Sequence, residues 1–252
     1  MPQDGTEGDW TPPFGRVLRD IGPPQTEGVR QPDAAVFEAY RGRVPDELIR
    51  FWHAHGWGSW RDGLFWLCDP RPFEPMLQTL FADDPEFASA DIVIYLRDAF
   101  GGVIGWHPKL KLVNLNMHWG KVTTTDITVQ EIDGKHLFND DHAVASGVAT
   151  RAIRDEGWLG DESGGPVFDE LRARLGPITE DQVYTMAPHV RLGGAGEPDD
   201  FSIGGLVEYM GFLAQLGPFT LMRYVDPKEG GRGPYGHSEP VRTIGHSTLI
   251  EE

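Results

Sequence analysis

The chain has 252 residues, of which 39% are apolar and 11% aromatic, so it can bury a hydrophobic core as one large domain or two small ones. Its net charge of -17 repels phosphate backbones and argues against direct binding to nucleic acid; the charge favours a basic partner, or simply an acidic surface that keeps the protein in solution. The single cysteine, Cys68, excludes an intrachain disulfide and a cysteine-based zinc site.

Residues 1–13 form a polar segment that prolines interrupt. They predict a loose N-terminal tail rather than a signal peptide. No apolar run in the chain approaches the roughly 20 residues that a membrane-spanning helix needs. The sequence therefore predicts a cytoplasmic protein with no membrane contact.

The stretch VPDELIRFWHAHG (44–56) predicts a helix. Pro45 suits the first helical position, the two acids after it favour the helix dipole, and Gly56 is a natural C-terminal stop. Apolar and aromatic side chains recur at helical spacing, namely Leu48, Phe51, Trp52 and His55. A second helix is predicted over 72–81.

Three extended runs follow, over 91–96, 102–106 and 110–117. The last of them alternates apolar and polar side chains, as a half-buried strand does. Residues 14–122 are therefore expected to form a first unit, in which helices pack on a small antiparallel sheet.

Residues 123–165 are expected to form an acidic connector with a helix over 140–156. A second unit is expected over 166–225, where two glycine-capped helices alternate with two strands. The glycine- and proline-rich residues 226–252 predict a tail without regular structure. The predicted fold class is α+β, with small antiparallel sheets packed against helices in two modules that contact each other.

His53 and His55 are the strongest candidates for a metal site, because on a strand the two rings would share one face. On the predicted helix, residues two apart point about 200° away from each other, so they cannot hold one ion. One ring is then expected to pack beside the core and the other to face water. The chain also lacks the phosphate-loop, zinc-helix and nucleophile motifs. We therefore predict no metal, no cofactor and no catalytic residues.

The stretch FWHAHGWGSWRDGLFWL (51–67) holds four tryptophans and three glycines. Large rings bury much area and glycines allow tight chain reversal, so the stretch predicts a helix, a turn and an extended return that pack together. An alternative is an aromatic ligand pocket, formed near Trp57, Trp60, Trp66 and Trp106. For the first interpretation we expect one core that buries Trp52, Phe65, Trp66, Phe100 and Leu112.

The segment YRGRVPDELIRFWHAHGWGSWRDGLFWLCDPRPFEPML (40–77) resembles the GAD-like domain, and YLRDAFGGVIGW (95–106) resembles the next block of that domain. Further along, LGPITEDQVYTMAPHVRLGG and EYMGFLAQLGPFTLM resemble the small C-terminal domain that accompanies it. The arrangement is similar to the Tdi-type immunity proteins of bacterial type VI secretion systems (T6SS), which neutralise a cognate DNase effector.

The resemblance implies an immunity protein that binds and neutralises a T6SS toxin, a DNase, without catalysis. A DNase must attract phosphate and presents a basic cleft, so the resemblance also gives the acidic charge a purpose. The alternative is an enzyme or small-ligand-binding protein that uses the aromatic pocket.

Three acidic stretches are candidate partner surfaces, at 83–86, 140–170 and 197–200. The alternative is that they are solvated loops and helix faces. The first choice, by local charge density, is Asp155, Glu156, Asp161 and Glu162. The other candidate partner-binding residues are Asp83, Asp84, Glu86, Glu197, Asp199 and Asp200.

Overall fold

The computed structural model describes residues 10–125, 131–132, 135–136, 139–153, 167–225 and 237–244. The helices in these residues are α1 (Pro12–Asp20), α2 (Ala34–Glu38), α3 (Asp46–His55), α4 (Glu74–Leu80), α5 (Asp140–Ile153), α6 (Val167–Leu175) and α7 (Leu206–Gln215). The strands are β1 (Gly58–Trp60), β2 (Phe65–Leu67), β3 (Val93–Asp98), β4 (Val103–His107), β5 (Lys111–Asn116), β6 (Lys121–Thr125), β7 (Glu131–Ile132), β8 (Lys135–His136), β9 (Gln182–Met186), β10 (Phe201–Gly205), β11 (Phe219–Val225) and β12 (His237–Ile244).

Eight of the described strands form one sheet, in the order β1-β2-β3-β4-β5-β6-β11-β12. Neighbouring strands are antiparallel except β6 and β11, which are parallel. The chain between those two strands contains α5, α6, the separate β9–β10 hairpin and α7. A mostly antiparallel sheet with packed helices confirms the predicted α+β class.

Helix α3 shows how local sequence sets these boundaries. It begins after Pro45, has Asp46 and Glu47 in its first turn, and stops at Gly56, whose φ of 71° suits glycine. This agrees with the predicted helix. None of the helices in the described stretches has the length and apolarity that a bilayer crossing requires.

The central strands of the sheet are covered on both faces. Every side chain of β3 and β4 is buried, because α1, α2, α3 and α5 cover one face while α4, α6, α7 and the β9–β10 hairpin cover the other. The buried side chains form two clusters, one on each face. Trp52 belongs to the first cluster, under α1, α2, α3 and α5, and Phe65, Trp66 and Phe100 belong to the second, under α4, α6 and α7. The prediction of a single core is therefore wrong, since a two-sided sheet keeps its two cores apart. Leu112 is only half-buried.

The second of these clusters joins the two predicted units. The ring of Phe100, just after β3, lies 5.9–6.4 Å from the rings of Phe168, Tyr184 and Phe201. The backbone N–H of Tyr184 donates to the carbonyl of Ala99 at 2.9 Å. The two units therefore share a core and main-chain hydrogen bonds.

The two ends of the described chain contain more structure than the sequence indicated. Helix α1 starts at Pro12, and the Trp10 ring packs 5.5 Å from that of Phe51. Strand β12 lies in the segment that was expected to lack regular structure. Its Pro240 is tolerated because β12 is an edge strand and because Pro240 pairs where the β11–β12 register shifts.

An ion pair links β12 to the loop after α4. Arg242 donates two hydrogen bonds, of 2.7 and 3.0 Å, to the carboxylate of Asp84, whose side chain is fully buried. We expect Arg242→Met to lower the free energy of unfolding by about 2–3 kcal/mol, because it leaves a buried carboxylate without its cation. Urea denaturation followed by circular dichroism measures the change.

The matched control is Arg223→Met on the neighbouring strand. Arg223 pairs with Glu239 at the surface, where an ion pair contributes about 0–1 kcal/mol. Equal destabilisation by the two substitutions would contradict a special role for the buried pair.

Candidate functional site

The tryptophan-rich stretch 51–67 lies inside the protein. Its four indole rings are at most 5% exposed. Trp60 donates its Nε1–H to the carbonyl of Gly22 at 3.0 Å, and Trp66 donates to that of Gly63 at 2.7 Å. The stretch therefore forms a helix end and two paired strands of the core, joined by a turn, rather than an open binding surface.

The four rings of the predicted aromatic pocket do not meet in one cavity. Trp57 and Trp66 line a cleft of about 90 Å³, which Trp60 and Trp106 do not reach. Ligand pockets for small molecules are typically several-fold larger, about 300–1,000 Å³. The cationic side chain deepest in this cleft, Arg97, already donates hydrogen bonds to backbone carbonyls.

His53 and His55 point to different surroundings on α3. The Nε2 atom of His53 lies 2.6 Å from a carboxylate oxygen of Glu38, while the His55 ring packs 4.6 Å from that of Phe51. Burial lowers the pKa of His55. Within the described part of the chain, no three His, Cys, Asp or Glu side chains are arranged to hold a metal ion.

Two of the three acidic stretches are engaged with the chain itself. Asp84 and Glu86 both bind Arg242, and Asp83 next to them is exposed. In the third stretch, Asp199 pairs with Arg174 at 2.8 Å. Asp200 and Glu197 form a reciprocal capping box in the 3₁₀ turn Pro198–Asp200. Asp155, Glu156, Asp161 and Glu162 lie outside the described residues.

A groove of about 450 Å³ opens on the surface of the second unit. It lies between α7, the β9–β10 hairpin and the 3₁₀ turn Val190–Leu192. Its lining is mainly apolar and comprises Thr185, Met186, Ala187, Pro188, His189, Leu192, Gly204, Gly205, Glu208, Tyr209 and Phe212. Leu192 is 60% exposed and Phe212 is 39% exposed at its rim. We call this feature the α7 groove.

The walls of the α7 groove are held in place by buried polar contacts. The hydroxyl of Tyr209 accepts a hydrogen bond from the backbone N–H of Met186 at 3.1 Å, which ties α7 to β9. Burial raises the pKa of Tyr209 to about 12, so this hydroxyl stays protonated. The groove is therefore preformed rather than assembled from loose loops.

A pair of stacked histidines lies at the base of the α7 groove. His118, from the first unit, has its Nδ1 atom 3.0 Å from Nε2 of His189, and its own Nε2 lies 2.6 Å from the carbonyl of Phe100. The Nδ1 atom of His189 accepts from the backbone N–H of Arg191. The Phe100 carbonyl can only accept a hydrogen bond, and the Arg191 N–H can only donate one. Each ring must therefore donate from Nε2 and accept at Nδ1, so both rings are neutral with the proton on Nε2.

Burial is the main cause of the lowered pKa values of these two histidines. It lowers the pKa of His118 to about 4, and the nearby His189 ring adds to the effect. Burial also lowers the pKa of His189 to about 4, with a further contribution from the Arg191 cation. The two neutral rings therefore connect the groove to the first unit at ordinary pH.

Comparison with known families assigns both units. Residues 13–119 match the GAD-like domain, and residues 151–217 match the family described as T6SS immunity protein Tdi1, C-terminal. The chain contains a GAD-like domain followed by a Tdi1-type C-terminal domain. This pairing confirms the resemblance found in the sequence, and the Tdi1-type domain supports a role in T6SS immunity.

The fold occurs in a solved structure as well. The crystal structure of Atu4351 from Agrobacterium tumefaciens is similar with a TM-score of 0.77 and 24% sequence identity, over 92% of this chain and 98% of that one. At that identity the likeness concerns the fold alone. Among curated protein sequences, none matches the chain.

Every residue that lines the α7 groove lies within the Tdi1-type domain. The sequence interpretation did not find this groove, because it looked for acidic stretches. One signal was present, since Phe212 lies outside the buried face of α7. It becomes informative only beside the exposed Leu192, because contiguous exposed apolar side chains, rather than single ones, indicate a contact surface.

Proposed function

We propose that this chain is an immunity protein that binds a cognate T6SS toxin, a DNase, and neutralises it without turnover. The observation that carries the proposal is the Tdi1-type match over residues 151–217. The net charge of -17 adds to it, because a nuclease needs a basic cleft for DNA and an acidic protein is attracted to that cleft.

The acids Asp155, Glu156, Asp161 and Glu162 remain our candidates for contacts with the basic cleft of the toxin. Asp83, Asp84, Glu86, Glu197, Asp199 and Asp200 are secondary candidates. Of these, Asp84 and Glu86 bind Arg242, Asp199 pairs with Arg174, and Glu197 and Asp200 cap the same 3₁₀ turn. Rim charges mainly set the association rate and its salt dependence, so these acids would speed the encounter with the toxin more than they would slow its dissociation.

A non-catalytic mode of action fits the chemistry of the core. The only cysteine, Cys68, is buried, and burial raises the pKa of its thiol to about 12. A protonated, inaccessible thiol is a poor nucleophile. The small cleft beside it is lined by arginines that are already paired, such as Arg71 with Asp69.

The test uses the product of the gene adjacent to this one. We expect the two proteins to co-purify, and we expect DNA cleavage by the purified neighbour to fall in proportion to added immunity protein until the two are equimolar. Association should slow steeply between 50 and 300 mM salt. A neighbour that does not bind, or a complex that cleaves DNA at the full rate, would contradict the proposal.

A further inference from the structure

The α7 groove has the properties of a binding pocket for a side chain of a partner protein. Its floor and walls are apolar, and two large side chains at its rim, Leu192 and Phe212, stay exposed. Exposed apolar patches on a folded domain typically mark interaction sites. The volume of about 450 Å³ is sufficient for one large side chain with part of its neighbours.

The charge at the groove indicates what lies next to that side chain. Glu208 lines the groove one helical turn before Phe212, so the two share a face of α7. The Glu208 carboxylate lies close to Gly205 at the start of the helix. Among the described residues, no basic side chain forms an ion pair with Glu208. A Lys or Arg of a partner can reach this carboxylate.

The net charge of the chain also helps to decide between two occupants of the groove, a second copy of this chain and a basic partner. A second copy of this chain would bring another net charge of -17 toward the groove and would be repelled overall. A basic partner is attracted instead. Aromatic residues and Arg are the side chains that interfaces use most as anchors in preformed pockets.

We propose that the α7 groove is the anchor site for the toxin, and that it receives a segment in which an aromatic or leucine side chain is adjacent to a Lys or Arg. The apolar side chain enters between Leu192 and Phe212, and the cation pairs with Glu208. This inference rests on the proposed function and deepens it, because it places the contact on the Tdi1-type domain rather than on the acidic stretches.

The test measures binding of the catalytically inactivated product of the adjacent gene by surface-immobilised kinetics. We expect Phe212→Ala and Leu192→Ser each to raise Kd at least about tenfold, mainly through faster dissociation. We expect Glu208→Gln to weaken binding and to flatten its salt dependence. Melting temperatures should stay close to that of the parent, since the replaced side chains are exposed.

Val207→Ser is the matched control. Val207 is 47% exposed on the same helix but does not line the groove, so its Kd should stay within about twofold of the parent. If the parent binds the toxin and the three groove variants bind equally well, the groove inference fails while the proposed function stands. If the parent itself does not bind, the proposed function fails.

Two further outcomes would overturn the inference by revealing another occupant. Light scattering that shows a dimeric parent and a monomeric Leu192→Ser variant would assign the groove to a second copy. A large loss of melting temperature in Phe212→Ala, with unchanged toxin binding, would show that the groove is part of the fold's own packing.

Discussion

Replacing Trp66 with alanine is expected to lower the free energy of unfolding by about 3–5 kcal/mol. Trp66 is 5% exposed, and the guanidinium of the buried Arg97 lies 4.5 Å from the centre of its ring. The substitution leaves a cavity in the cluster that joins the two domains. It also removes the aromatic face that stabilises a cation inside the protein. Urea denaturation followed by circular dichroism provides the measurement.

Trp119→Ala is the control for this prediction, because Trp119 is 51% exposed. It should change the free energy of unfolding by less than about 0.5 kcal/mol, as surface substitutions usually do. A Trp66→Ala variant that unfolds at the same urea concentration as Trp119→Ala, but loses toxin binding, would show that the tryptophan-rich stretch is a binding surface.

The protein is expected to lose about 3 kcal/mol of stability between pH 6.5 and pH 4.5, largely because of the His118–His189 pair. Each ring has a folded pKa of about 4, below the ordinary histidine value of 6.5. In this interval the unfolded chain therefore binds protons that the folded chain does not. The stabilisation is complete above pH 6.5 and is lost as the pH falls toward 4.

Other groups act in the same direction or outside this interval. Burial also lowers the pKa of His55, His107 and His142, which adds to the loss. The pKa of Glu38 is lowered to about 2 by its hydrogen bonds to Arg41 and His53, and the Arg223 guanidinium lowers the pKa of Glu239. Both acids act in the same direction, but mostly below pH 4.5, so the interval from pH 6.5 to 4.5 reports mainly on histidines.

His118→Gln isolates the buried pair. It should be less stable than the parent at pH 7.5 and should lose clearly less stability on acidification, because one of the two imidazoles is gone. Phe100→Leu loosens the same cluster without removing a titratable group, so it should shift the whole curve and keep its slope. If the slope of His118→Gln equals that of the parent, the buried pair does not govern the acid response.

Local sequence was informative where a residue's near neighbours fix its conformation. The proline start and glycine stop of α3 appear in the structure as the sequence indicated, and β11 (Phe219–Val225) is one of the two strands expected within residues 166–225. The family resemblance was also readable, because the residues that carry it are aromatic and glycine side chains within a short span. That signal indicated a role in T6SS immunity, which the Tdi1-type match supports.

A strand that is buried on both faces was harder to interpret from the sequence. Residues 93–96 of β3, a strand buried on both faces, form a continuous apolar run, and such a run does not reveal which face each side chain meets. The sequence interpretation therefore merged Trp52 and Trp66 into one core. The structure separates them, since helices cover each face of the sheet.

The sequence by itself determined several of the helices and strands, the two-domain family pairing and the charge that a basic partner would meet. The tertiary structure decided which charges are free and which surfaces are open. Asp84 meets Arg242 across 158 residues, and His118 meets His189 across 71. The α7 groove needs three elements of the Tdi1-type domain at once. Such contacts depend on the three-dimensional path of the chain, because no local rule of spacing or propensity brings distant residues together.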